Sequence, residues 1–211
     1  MNLRALNKPL VAGIAAALIA VAGLGAWWGY SGYRQHSLQQ AVAPQVQAAD
    51  ARLREALGVA LEPDPAQAEQ AAAQLDATAQ DIEARLAGLR ALDAAPDRAR
   101  VASAEEALDD AASMLRRQAA VIRTGLAFAQ ARDALEAHMR GARSRSGGWV
   151  SEAIELKHKM GQAYFDYKLA LDGLAARLGD VPDRELAAQV GARVDAALQH
   201  ASDARAAAGR L

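Results

Sequence analysis

The chemically richest residues of this chain are crowded between Arg140 and Lys168. Lys157, Lys159 and Lys168 lie there, and the only other lysine is Lys8. Arg140, Arg143 and Arg145 surround the stretch "GARSRSGG" at 141–148, and Trp149, Tyr164, Phe165 and Tyr167 add aromatic rings. Cationic groups mixed with aromatic rings can grip anionic polymers, lipids or an acidic partner helix. The expected contact set is Arg140, Arg143, Arg145, Trp149, Lys157, His158 and Lys159. A structural reading competes with it. Trp149, Tyr164 and Tyr167 can fill a core where alanine is too small, and Glu152, Glu155 and Asp166 offset part of the charge.

Glu155 and His158 form an E-x-x-H spacing, which on a helix puts a carboxylate and an imidazole on one face. Carboxylate-bridged metal bundles need two such motifs and two further glutamates. Only one copy is present, and Glu136 and His138 have the wrong spacing. Glu105, Glu106, Asp109 and Asp110 make an acidic patch without the converging loop oxygens of a calcium site. His36 and His200 are isolated and receive no role. "GARSRSGG" lacks the lysine of a P-loop, and no Ser-His-Asp arrangement can be argued. The expectation is no catalytic residue, no cofactor and no metal, hence a protein that is not an enzyme.

Composition points the same way. The chain has 211 residues, a formal net charge of −1 and no cysteine, which removes disulfides, thiol catalysis and thiolate metal sites. A near-neutral chain argues against general nucleic-acid binding. Aromatic residues make up only 4%, little from which to build an enzyme pocket. The alanine-rich, arginine-over-lysine bias is that of GC-rich bacterial genomes.

The element expected to position everything else is the apolar run from Leu10 to Tyr30. It is free of charge and, at roughly 20 residues, long enough to span a bilayer as a helix. Trp27, Trp28, Tyr30 and Tyr33 fit an aromatic belt at its end. A cleavable signal is the rival, but its apolar core would span only about 7–15 residues. Arg4 and Lys8 precede the run, which orients the N-terminus to the cytoplasm. The expected layout is a cytoplasmic tail at 1–8, a transmembrane anchor at 9–30 and an exported, periplasmic helical bundle at 31–211. Gly25 and Gly29 form a G-x-x-x-G face that could pair two anchors into a homo-oligomer.

After the anchor, strong helix formers fill the chain and no stretch alternates as a strand does. The spacing predicts all-α architecture, an elongated antiparallel bundle of four to five helices with coiled-coil-like packing. A first helix, kinked by Pro44, runs to about Leu61. Asp64 caps a second, with Pro65 at its first position, that reaches Leu92 and buries Leu75, Ile82, Leu86 and Leu89. A third opens at Pro96 and ends near Arg140, with Val101, Leu108, Leu115, Ile122 and Ala129 in strict seven-residue period. A fourth spans Trp149 to about Gly179 and carries Tyr164, Tyr167, Leu171, Leu174 and Leu178. Asp180 caps a fifth carrying Leu186, Val190, Val194 and Leu198, whose "ARAAAGRL" end frays.

The function expected from this layout is a single-pass, integral inner-membrane protein of a bacterial envelope. Its periplasmic bundle would be a non-enzymatic interaction or scaffold module with a protein partner there. Two alternatives are a ligand-sensing ectodomain that works with a separate signalling partner, and a metal-binding helical bundle.

Overall fold

The computed structural model describes residues 40–91, 98–141, 147–181 and 183–210. Among them the chain is all-α, a bundle of five helices: α1 (40–57), α2 (Pro65–Arg90), α3 (Arg98–Gly141), α4 (Gly147–Ala175) and α5 (Arg184–Gly209). A 3-10 turn, Leu178–Asp180, joins α4 to α5.

The anchored architecture does not carry over. Among the described residues no helix is long and apolar enough to cross a membrane. The expected anchor at 9–30, its belt of Trp27, Trp28, Tyr30 and Tyr33, and the pairing face at Gly25 and Gly29 all lie outside the described residues. The integral-membrane topology, the inner-membrane and periplasmic placement, and the envelope partner and oligomer argued from that topology therefore have no spanning helix among the described residues to rest on. The correction is to an all-α bundle whose described helices are each amphipathic and packed on one another.

The ion pairs fix the helix directions. Arg90–Glu105 (3.6 Å), Arg116–Glu83 (2.7 Å) and Arg123–Asp76 (2.6 Å) step down α2 as they step up α3, so the two are antiparallel. On the other side of α3, Arg177 meets Asp110 (2.6 Å), the Phe128 ring meets Tyr164 and Tyr167, and His138 meets Trp149, so α4 returns antiparallel as well. The most extensive packing is between α2 and α3 and between α3 and α4. α3 is thus the central spine, 44 residues long.

The seven-residue row predicted on α3 forms the seam: Val101, Leu108, Leu115 and Ile122 are buried, and Ala129 is half-buried. The companion row is Ala104, Ala111, Gln118 and Gly125. Alanine lets α1 and α2 approach closely; the last two positions serve other needs. Fully buried Gln118 donates its Nε2 to the carbonyls of Ala56 (3.0 Å) and Val59 (3.2 Å), which ties α3 to the end of α1 and the turn beyond it. Gly125 leaves room for Tyr167, whose ring would lie 3.0 Å from a Cβ at that position.

Several boundaries differ from expectation for identifiable reasons. α1 is continuous through Pro44 and stops at residue 57, because Gln118 and Arg193 capture its last carbonyls; Leu61 is buried in the turn beyond. Asp64 does cap α2, accepting from Ala66 N at 2.9 Å. The cap of α5 is Asp183, which accepts from Leu186 N at 3.0 Å, and not Asp180. Val181 precedes a proline, which disfavours helical backbone there, and it is extended (φ −72°, ψ 120°). The end of α5 does not fray within the described residues: the helix reaches Gly209 with Ala208 buried.

Candidate functional site

The fold disperses the expected contact set. Arg140 sits in the last turn of α3 and bonds back to its own helix, Nε to the Glu136 carbonyl at 3.3 Å. Arg143 and Arg145 lie outside the described residues. Trp149 is half-buried in the first turn of α4; its ring stacks on His138 (5.0 Å between centroids, 15° between planes), and its carbonyl lies 3.1 Å from His138 Nε2. Lys157 reaches the Gly209 carbonyl at 3.4 Å and so closes the end of α5. Lys159 pairs with Glu155 one turn back at 2.7 Å, which holds the Glu155 carboxyl below its ordinary range. His158 is exposed on the same helix. The aromatics divide: Tyr164 and Tyr167 are core, as the structural reading had it, while Phe165 points out.

Phe165 belongs to a face that the fold does bring together. Among the described residues the large apolar side chains left exposed are Val150 (43%), Ile154 (56%), Phe165 (56%) and Leu169 (73%), all on α4. They share one side of the helix with His158 and Gly161. At 3.6 residues per turn that side lies roughly 130° from the stripe of Met160, Tyr164, Tyr167, Leu171 and Leu174 that faces the core. The helix therefore has two apolar faces, and no described residue covers one of them. Arg205 of α5 lies over the rings of Tyr164 (4.6 Å) and Phe165 (5.0 Å), a cation–π contact that supports Phe165 from beneath. Lys157 and Lys168 border the face on the α5 side; Glu155 and Asp166 border it on the other. Isolated exposed apolar residues are ordinary on protein surfaces, but a contiguous row of them marks a contact surface.

A second constellation lies at the junction of the α1–α2 turn, α4 and α5. Tyr167 donates its hydroxyl to Glu62 Oε1 at 3.2 Å, and His200 Nδ1 lies 3.3 Å from Glu62 Oε2. They border an open cavity of about 290 Å³ walled by Pro63, Pro65, Ile122, Leu126 and Phe128, with Arg132 at its edge. Burial, then the Glu62 charge and hydrogen bond, push the Tyr167 hydroxyl well above its ordinary value. Its proton is therefore held. The arrangement is a polar tie between three elements.

Among the described residues no three His, Asp or Glu side chains converge in a way that could hold a metal ion. Glu155 and His158 stand on the outward side of α4, and Glu155 is committed to Lys159.

The outward face was legible in principle, since Val150, Ile154, Phe165 and Leu169 recur at helical spacing. The inward stripe of Met160, Tyr164, Tyr167, Leu171 and Leu174 already accounts for a helix here, so the outward row adds no separate signal. Nothing in the sequence signals Glu62 or His200, whose partners are 105 and 138 residues distant.

Fold and site together define a helical bundle with an apolar face on α4 that is exposed among the described residues. Compared with protein-family models, curated proteins and solved structures, the chain matches none.

Proposed function

We propose that the chain is a non-enzymatic interaction module that uses the outward face of α4 to dock against another protein surface. The observation that carries this reading is the confinement of every large exposed apolar side chain, among the described residues, to that one face. Apolar area left in water is recovered on association, at about 25 cal/mol per Å² removed from solvent. Charged residues already paired within α4, Glu155 with Lys159 and Lys168 with Asp172, form a polar rim beside that face. Of the sequence-derived contact set, Lys157 and His158 remain at this surface, while Arg140 and Trp149 serve the end of the bundle.

The test is position-specific photo-crosslinking in cells that make the protein. A photoreactive residue replaces Phe165, and a control replaces exposed Gln80 on α2. The expected result is a discrete protein adduct from position 165, absent from position 80 and abolished by Ile154→Asp with Leu169→Asp. Equal labelling from both positions would remove the reading.

A further inference from the structure

The groove between the middle of α1 and the N-terminal part of α3 is hollow. α5 leads away from it, since its far end reaches Lys157, toward the opposite end of α4. The third wall is instead the short connection from Arg177 to Val181. Small side chains, Ala49 on α1 and Ala107 and Ala111 on α3, line the groove without filling it. A cavity of about 420 Å³ results, within the range of about 300–1,000 Å³ that holds small organic ligands. Its floor is apolar: Leu53, Leu108, Met114 and Val181 are buried there.

The rim carries an excess of one charge. Asp50, Glu106, Asp110 and Asp180 line the cavity, and Arg177 is the single basic residue among its walls. Arg177 is divided between Asp110 at 2.6 Å and Asp180 at 3.2 Å. Asp50 pairs with Arg54 at 3.0 Å, and Arg54 is itself shared with Asp183. Glu106 is exposed and has no ion-pair partner among the described residues. A cleft lined by one sign of charge focuses its field and draws in the opposite sign. The rim therefore attracts a cation and repels an anion, while the floor takes hydrocarbon out of water.

We propose that this cavity binds a small amphiphile with a cationic head, an amine or quaternary ammonium on an apolar body. The body lies on Leu53, Leu108 and Met114, and the head stays at the rim beside Glu106. This inference stands apart from the docking reading above, because no residue of the outward α4 face lines the cavity.

The chain has no cysteine, so Gln47→Cys in the full chain accepts a polarity-sensitive fluorophore at one place, an exposed position on the cavity wall. A second reporter at exposed Gln80 on α2 registers nonspecific binding. The probes are decyltrimethylammonium and decyl sulfate, equal in chain and opposite in charge, both kept below micelle-forming concentrations. The expected result is a saturable response at position 47 and none at position 80. The cationic probe should bind about tenfold tighter at low salt, and the margin should shrink as salt screens the rim. Glu106→Gln should weaken the cationic probe about threefold and leave the anionic probe no weaker. Ala107→Trp, at an exposed wall position, fills the mouth and should remove the response. Equal affinity for the two probes, or tighter binding of decyl sulfate, would overturn the cationic class. No response at position 47, equal responses at 47 and 80, or a response undiminished by Ala107→Trp would overturn the cavity as the site. Should Ala107→Trp fail to fold, the two reporters, the probe charge and Glu106→Gln still decide.

Discussion

The Tyr167 hydroxyl donates to Glu62 over 3.2 Å and so ties the middle of α4 to the turn between α1 and α2. Burial and the Glu62 carboxylate raise its pKa above the ordinary value of 10.0. Above about pH 10 the unfolded chain releases this proton and the folded chain keeps it. The folded state then binds more protons, and stability falls as pH rises. Below that value this group contributes no pH dependence. His200 and Arg132 also face the cavity and are present in any variant. Tyr167→Phe should lose about 0.5–1.5 kcal/mol at pH 7 through the missing hydrogen bond, and its stability should decline less steeply above pH 10. Urea unfolding at pH 7, 10 and 11 measures both effects; parallel curves for the two proteins would contradict the assignment.

Arg193 holds the end of α1. Its guanidinium donates to the carbonyls of Leu57 (2.6 Å), Val59 (3.1 Å) and Gly58 (3.4 Å), from a helix that begins 127 residues later, where Asp183 of the same α5 N-terminus pairs with Arg54 at 3.0 Å. Arg193→Met keeps the length and removes the donors, so it should destabilise the protein by about 1–3 kcal/mol. Hydrogen exchange should quicken first in α1; uniform acceleration along the chain would assign the loss elsewhere.

Two glycines make opposite predictions. A Cβ on Gly125 would lie 3.0 Å from the Tyr167 ring, inside a packed core. Gly125→Ala should therefore destabilise by about 1–3 kcal/mol despite its better helix propensity. Gly161 faces open space, so Gly161→Ala should stabilise the isolated chain by about 0.5–1 kcal/mol. Thermal melts of the two variants should move in opposite directions, and a shared direction would refute the packing described for Gly125.

Leu169 and Leu171 are two residues apart on one helix, at 73% and 0% exposure. Leu171→Ala opens a cavity among Tyr167, Leu174 and their neighbours and should lose about 2–5 kcal/mol. Leu169→Ala should change monomer stability by less than about 0.5 kcal/mol and weaken docking instead. Denaturation midpoints of both variants, measured at low protein concentration, separate the two roles.

Helical periodicity carried much of the bundle: the α3 seam from Val101 to Ile122, the α2 row from Leu75 to Leu89 and the Asp64 cap all follow from local spacing and side-chain chemistry. What the sequence misassigned depends on distant partners. The end of α1 is fixed by Gln118 and Arg193, which no local signal announces. The α5 cap is Asp183 and not Asp180 because Val181 precedes a proline in the sequence, which disfavours helical backbone there, and is extended. The candidate surface was partly legible: the crowded segment was located, but the emphasis fell on its cations, and Lys157 and Lys159 turn out to be engaged within the chain. The apolar row beside them, Val150 to Leu169, was hidden by the assumption that a helix buries all of its large side chains against its own core.

The length of α3 has a thermodynamic consequence. At 44 residues it extends about 66 Å and lends one flank to α2 and another to α4. Neither neighbour can detach without exposing part of the shared spine, and the spine cannot fray without releasing both. Cooperativity is thus built into a protein assembled from small alanine contacts, and calorimetry should record one transition whose van't Hoff and calorimetric enthalpies agree.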